Sequence, residues 1–183
     1  MELVVGMALV VLMGVLAVPV GTASIDAGRA RQAAGFIAAR FHLARHRALF
    51  RSRTTGVVFD QVGDGWTFRI CEDGNGDGLR RAEIDAGVDR CVEGPYDLTV
   101  LFPGIRTAVD SRLPGPDNDA GSTDPVKFGY SDIASFAPEG TGTAGTIFIR
   151  SRQGRQLAVR VSNITGRTRV LRFDTGTRTW IAA

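Results

Sequence analysis

Residues 3–20 carry no charged side chain, and after Glu2 the first charge is Asp26. At ~1.5 Å per residue the run is long enough to cross a hydrocarbon core of ~30 Å. A cleaved secretory signal would begin with basic residues and hold a shorter apolar core. A buried globular helix of this length would show a polar face. The pattern therefore predicts a membrane helix over residues 1–22. Glu2 stands at its N-terminus, where the helix dipole favours a carboxylate and a cationic partner would offset its cost near lipid.

The apolar period then changes. Ala30, Ala34, Ile37, Phe41, Ala44 and Ala48 recur at helical spacing among arginines. With no proline over residues 22–54, one helix is expected to reach about Phe50, bent at Pro19. Residues 23–53 are its amphipathic half. Period-two runs follow, at 56–60, 66–70 and 98–102, with short candidates at 126–128 and 135–136. Residues 106–125 are rich in Pro, Gly and Asp and read as a long loop. Runs at 146–150, 157–161 and 169–173, separated by glycine-containing turns, predict an antiparallel meander. The expected fold class is α+β: a long N-terminal helix on a mostly antiparallel β head spanning residues 54–183.

Composition narrows the chemistry. The 183-residue chain has two cysteines and two histidines, too few for a disulfide-rich scaffold or a four-cysteine zinc site. No phosphate loop, nucleophile–base pair or complete metal set is present, so an enzyme is not expected. Charge is segregated. Residues 29–53 hold seven arginines and no acid, residues 60–124 hold fourteen acids against six arginines, and residues 145–183 hold eight arginines against one acid. Codon bias accounts for the number of arginines more easily than for their segregation.

Glu2, the apolar helix and Pro19 seventeen residues later resemble the N-terminus of type IV pilins and type II secretion pseudopilins. That resemblance implies a basic leader upstream of Met1, removed by a prepilin peptidase, and a mature amine, often methylated. It further implies that Glu2 pairs with the amine of an adjacent subunit during filament assembly. Ala44-Arg45-His46-Arg47-Ala48 before the first strand, Phe136-Ala137-Pro138-Glu139-Gly140, and Gly166-Arg167-Thr168-Arg169 together resemble the GspH/FimT family. Membership implies a single-pass protein of the bacterial inner membrane with a periplasmic head. Its partners would be other pilin or pseudopilin subunits, the inner-membrane assembly platform and membrane lipid, in protein secretion. In some FimT-like pilins the last motif is associated with DNA capture, which makes Gly166, Arg167, Arg169 and Arg172 candidate DNA-binding residues, since arginine forks suit phosphate. Ion pairs with the acidic middle region and contacts to neighbouring subunits are the competing readings.

Three smaller features remain. Asp73, Asn75 and Asp77 occupy alternate positions of a half calcium loop with Gly78 sixth, but Ile84 stands where a bidentate glutamate belongs. An acidic turn and a calcium site are both open. Cys71 and Cys91 bracket this loop. Outside the cytoplasm a disulfide is expected, with free thiols the alternative. His42 and His46 share a helix face without a third ligand, and Asn163-Ile164-Thr165, a glycosylation-type triplet, reads as a turn.

Overall fold

The computed structural model describes residues 2–117 and 119–183, with the side chains of 2–6 and 8–21 outside the description. Glu2 and Pro19, the expected assembly residues, therefore fall outside the described side chains. Helix α1 runs over Glu2–Arg51. It stops where Ser52 takes a left-handed φ of 50° and the Arg53 amide returns to the Ala48 carbonyl. Among the described residues no helix is long and apolar enough to cross a membrane.

The head contains β1 (Thr55–Val62), β2 (Gly65–Glu72), α2 (Arg81–Asp85), β3 (Arg90–Asp97), α3 (Leu98–Leu101) and β4 (Ile105–Thr107). It continues with β5 (Val126–Lys127), β6 (Ile133–Phe136), β7 (Gly145–Ser151), β8 (Gln156–Val161), β9 (Thr168–Asp174) and β10 (Thr179–Ala182). Two antiparallel sheets result, ordered β3-β2-β1-β6 and β10-β9-β8-β7-β4, with β5 also on β7. The fold is α+β, with α1 packed against antiparallel sheets.

Small residues let the helix lie close. Ala30, Ala33, Ala34, Ala44 and Ala48 are fully buried, and Phe41 reaches from α1 into Phe59, Phe128 and Phe136 at ring separations of 6.2, 5.6 and 6.2 Å. Phe59, Val57, Val159 and Ile147 close the same core. On the other face of the larger sheet lies the stretch from 108 to 117, whose Ala108 amide donates to the Phe148 carbonyl at 3.2 Å. It is held by Trp180 Nε1 donating to the Pro114 carbonyl at 2.7 Å and by ion pairs Arg150–Asp110 and Arg160–Asp117.

One expected strand is corrected. Residues 98–101 form the helical turn α3, ended by Phe102, because the Asp97 carboxylate caps it by accepting from the Thr99 amide at 2.7 Å. Only Leu98 is buried there, while Val100 and Leu101 face solvent. Strand β3, absent from the period-two reading, is an edge strand whose sequence mixes charge with Gly94-Pro95.

Candidate functional site

Three of the six arginines of α1 pair with acids of the head. Arg40 binds Glu93 at 2.9 Å, Arg47 binds Glu72 and Glu93 at 3.2 and 2.8 Å, and Arg51 binds Glu72 at 2.8 Å. Arg40 also lies over the rings of Phe36 and Tyr96 at 4.7 and 4.8 Å. Desolvation, then the hydrogen bond to Glu93, pushes the Tyr96 phenol above its ordinary range. The basic half of α1 thus meets acids of β2 and β3, and part of the charge segregation is an intramolecular complementarity.

The three motifs separated in sequence meet in space. Gly166 has φ 56°, and a side-chain carbon there would stand 2.6 Å from the Gly140 carbonyl and 3.0 Å from Arg45 Nε. One at Gly140, φ 91°, would stand 3.6 Å from Arg45 Nη2 and 3.8 Å from Leu49. Gly142 packs within 3.3 Å of Phe136 and Gly166 by the same measure, and its amide donates to the Asn163 carbonyl at 2.9 Å. The helix end, the turn after β6 and the β8–β9 turn therefore form one close-packed junction in which glycine is required twice for backbone reasons. Gly166 is buried in it and offers no open approach to a ligand.

Arg167 and Arg169 project from this end of β9 and are exposed, with no ion pair among the described residues. Arg169 is registered opposite Arg160, which Asp117 neutralises. The Arg160 hydrogen bond holds the Asp117 carboxyl below its ordinary range. With Asn163 and Trp180 these arginines line one cleft of about 620 Å³. Arg172 does not join them. Strand alternation turns it to the opposite sheet face, and three residues of rise carry it toward the other end of the head, where it lines a different cleft with Arg31 and Arg155.

The Asp73 loop closes on itself. Buried Asp73 accepts from the amides of Asn75, Gly76 and Gly78 at 3.1, 2.7 and 2.8 Å. Asp89, equally buried, accepts from Gly74 and Arg80 amides at 3.0 and 3.1 Å. Arg80 reaches Asp77 at 2.6 Å and Glu83 at 3.5 Å. Desolvation, then Asp77, raises the Glu83 carboxyl. Ile84 packs with Val58, Cys71 and Ile133. In this arrangement amides engage the Asp73 carboxylate and a guanidinium engages Asp77. No group of three or more acidic, His or Cys side chains among the described residues could hold a metal. Asp89 escaped the sequence reading because it lies outside the alternating motif. Cys71 and Cys91 are bonded across the β2–β3 register. His42 is exposed, and His46 stacks on Phe50 at 6.1 Å.

A long helix sealed by a small-residue stripe thus lies beneath a two-sheet antiparallel head. The family model described as type II transport protein GspH matches residues 33–166, a span that contains Arg45, Gly140 and Gly166, and the chain belongs to that family. A similar solved structure is that of the minor pseudopilin EpsH from the Type 2 Secretion System of Vibrio cholerae. It has 15% identity over 79% of this chain and 97% of that one, with a TM-score of 0.49. No curated protein sequence matches.

Proposed function

We propose that the chain is a minor pseudopilin of a type II secretion system. The apolar run holds it in the bacterial inner membrane with the head in the periplasm, and the assembly platform then lifts it into a short filament with other pseudopilin subunits. The observation that carries this reading is the family match, which begins inside a helix whose preceding stretch, residues 3–20, is free of charge. In a bundle of apolar helices little water screens Glu2, so its pairing with a neighbour's amine is strong enough to set register. The head works by contact. A Glu2→Ala chain is expected to insert in the membrane normally and to be missing from sheared filaments; normal incorporation ends the register role.

A second reading, DNA capture, is favoured by the exposure of Arg167 and Arg169 side by side. It predicts that replacing both with Gln lowers DNA retardation and reduces the salt slope by roughly two, whereas Arg172→Gln changes neither. An unchanged slope in the double variant removes it.

A further inference from the structure

The arginines left over after the internal ion pairs are not spread evenly. One group gathers at the end of the head where α1 enters it. Arg29 and Arg31 lie on the first turns of α1 that touch the head, and Arg152 and Arg155 lie on the tip of the β7–β8 hairpin beside them. All four are exposed. Among the described residues the single carboxylate paired with any of them is Asp26, 4.0 Å from Arg155 and further engaged by the Ser151 hydroxyl at 2.5 Å. Arg29 donates to the Pro103 carbonyl at 3.4 Å, which leaves its charge uncompensated. Arg172 faces the same cleft as Arg31.

The position of this collar is fixed by chain direction. Residues 3–20 precede it on the same helix. Arg29 stands ~14 Å along the axis from Val20. The interfacial layer beyond the hydrocarbon is about 5–7 Å deep, and helical side chains lean toward the N-terminus. Long arginines on this turn, and on the hairpin beside it, can therefore extend their heads back to the lipid phosphates while their stems stay on the protein. Each guanidinium brings one positive charge to the phosphate layer.

We infer that Arg29, Arg31, Arg152 and Arg155 form a docking surface for anionic phospholipid headgroups, which seats the head on the membrane before the subunit enters a filament. This rests on the membrane-anchored reading above and adds a second, releasable contact. Its strength depends on charge alone at a screened interface, so filament entry can break it without unfolding anything.

The test places the full chain, one copy per disc, in lipid nanodiscs of phosphatidylcholine alone or mixed evenly with phosphatidylglycerol. Amide hydrogen exchange is read over the hairpin tip, residues 151–155. With phosphatidylglycerol, exchange at the tip is expected to slow roughly fivefold at low salt. The effect should vanish at ~1 M salt, where the Debye length is about 3 Å. It should also vanish when all four arginines become Gln, and persist when all four become Lys. Arg167→Gln with Arg169→Gln, at the far end of the head, should leave it intact. Equal exchange in both lipids, with the chain incorporated in both, overturns the docking surface and leaves the anchor standing. Failure to enter either disc overturns both. Protection that appears in either lipid once two copies share a disc assigns the collar to a neighbouring subunit and overturns the lipid assignment.

Discussion

Gly166 lies so close to Arg45 that a single added methyl would meet the guanidinium Nε at 3.0 Å and the Gly140 carbonyl at 2.6 Å. Gly166→Ala therefore combines left-handed backbone strain with a clash against a carbonyl that cannot swing away. The expected loss is about 2–4 kcal/mol, read from urea unfolding of the full chain in detergent. Gly63→Ala is the matched control, since Gly63 has φ 58° and nothing within 4 Å. It should lose about 1–2 kcal/mol. Equal losses would show that packing against Arg45 contributes nothing.

The helix–head ion pairs make unequal contributions. Arg47 sits between Glu72 and Glu93, whose side chains are 12% and 19% exposed, while Arg51 is 59% exposed. Removing Arg47 takes one cation from each of two partly buried carboxylates, while Glu72 keeps Arg51 and Glu93 keeps Arg40, so Arg47→Ala should cost about 1–2 kcal/mol, below the 3–5 of a fully buried pair that loses its partner. Arg51→Ala should cost under about 1 kcal/mol. A double-mutant cycle between Arg47 and Glu93 measures the coupling, and a value near zero would reduce the network to surface decoration.

Acid should lift the long loop from the larger sheet. Hydrogen bonds from Arg112, side chain first and then backbone, hold Asp110 well below the ordinary carboxylate range, and Arg160 does the same for Asp117. A depressed native value means that the unfolded chain binds protons first as pH falls. The contribution is therefore complete above about pH 5 and is lost progressively as pH drops through the unfolded value and then the lowered native values. Trp180, bonded to Pro114 beneath the loop, reports the release. In a Trp66→Phe background its fluorescence should shift below pH 4, and in Asp117→Asn the shift at the Arg160 end should already be present at neutral pH. Fluorescence that is flat to pH 2 contradicts this.

Much of the fold was legible because its signals are local. The Ala30–Phe41–Ala48 stripe sits in the core as its spacing implies, and β1, β2 and the β7–β8–β9 meander coincide with period-two runs. What escaped was set by strand pairing or by a side-chain cap rather than by an apolar face. Strand β3 is held by pairing with β2 rather than by an apolar face, β10 by pairing with β9, and Leu98 was drawn into a turn by Asp97. For the site, alternation correctly put Arg167 and Arg169 on one face. Grouping Arg172 with them overlooked that an odd offset changes the face. The meeting of Arg45, Gly140 and Gly166 was invisible in sequence, because nothing local brings residues so far apart in the chain together.

The Asp73 loop should depend on its own carboxylates and not on calcium. Buried Asp73 ties down three loop amides and buried Asp89 two. Asp73→Ala leaves three amides to seek water and should cost about 1–3 kcal/mol. Reducing Cys71–Cys91, which frees a loop with a sequence separation of 20, should cost roughly 3 kcal/mol by loss of loop closure. Because the carboxylate–amide bonds are independent of the sulfurs, exchange protection at Gly74, Gly76 and Gly78 should survive reduction while it collapses in Asp73→Ala. Millimolar calcium should leave the thermal midpoint of the oxidised protein where it is, since Arg80 already neutralises Asp77 and Glu83. A calcium-dependent rise that disappears in Asp77→Asn would mean that Arg80 gives way to the ion, and the self-closed loop would have to be abandoned.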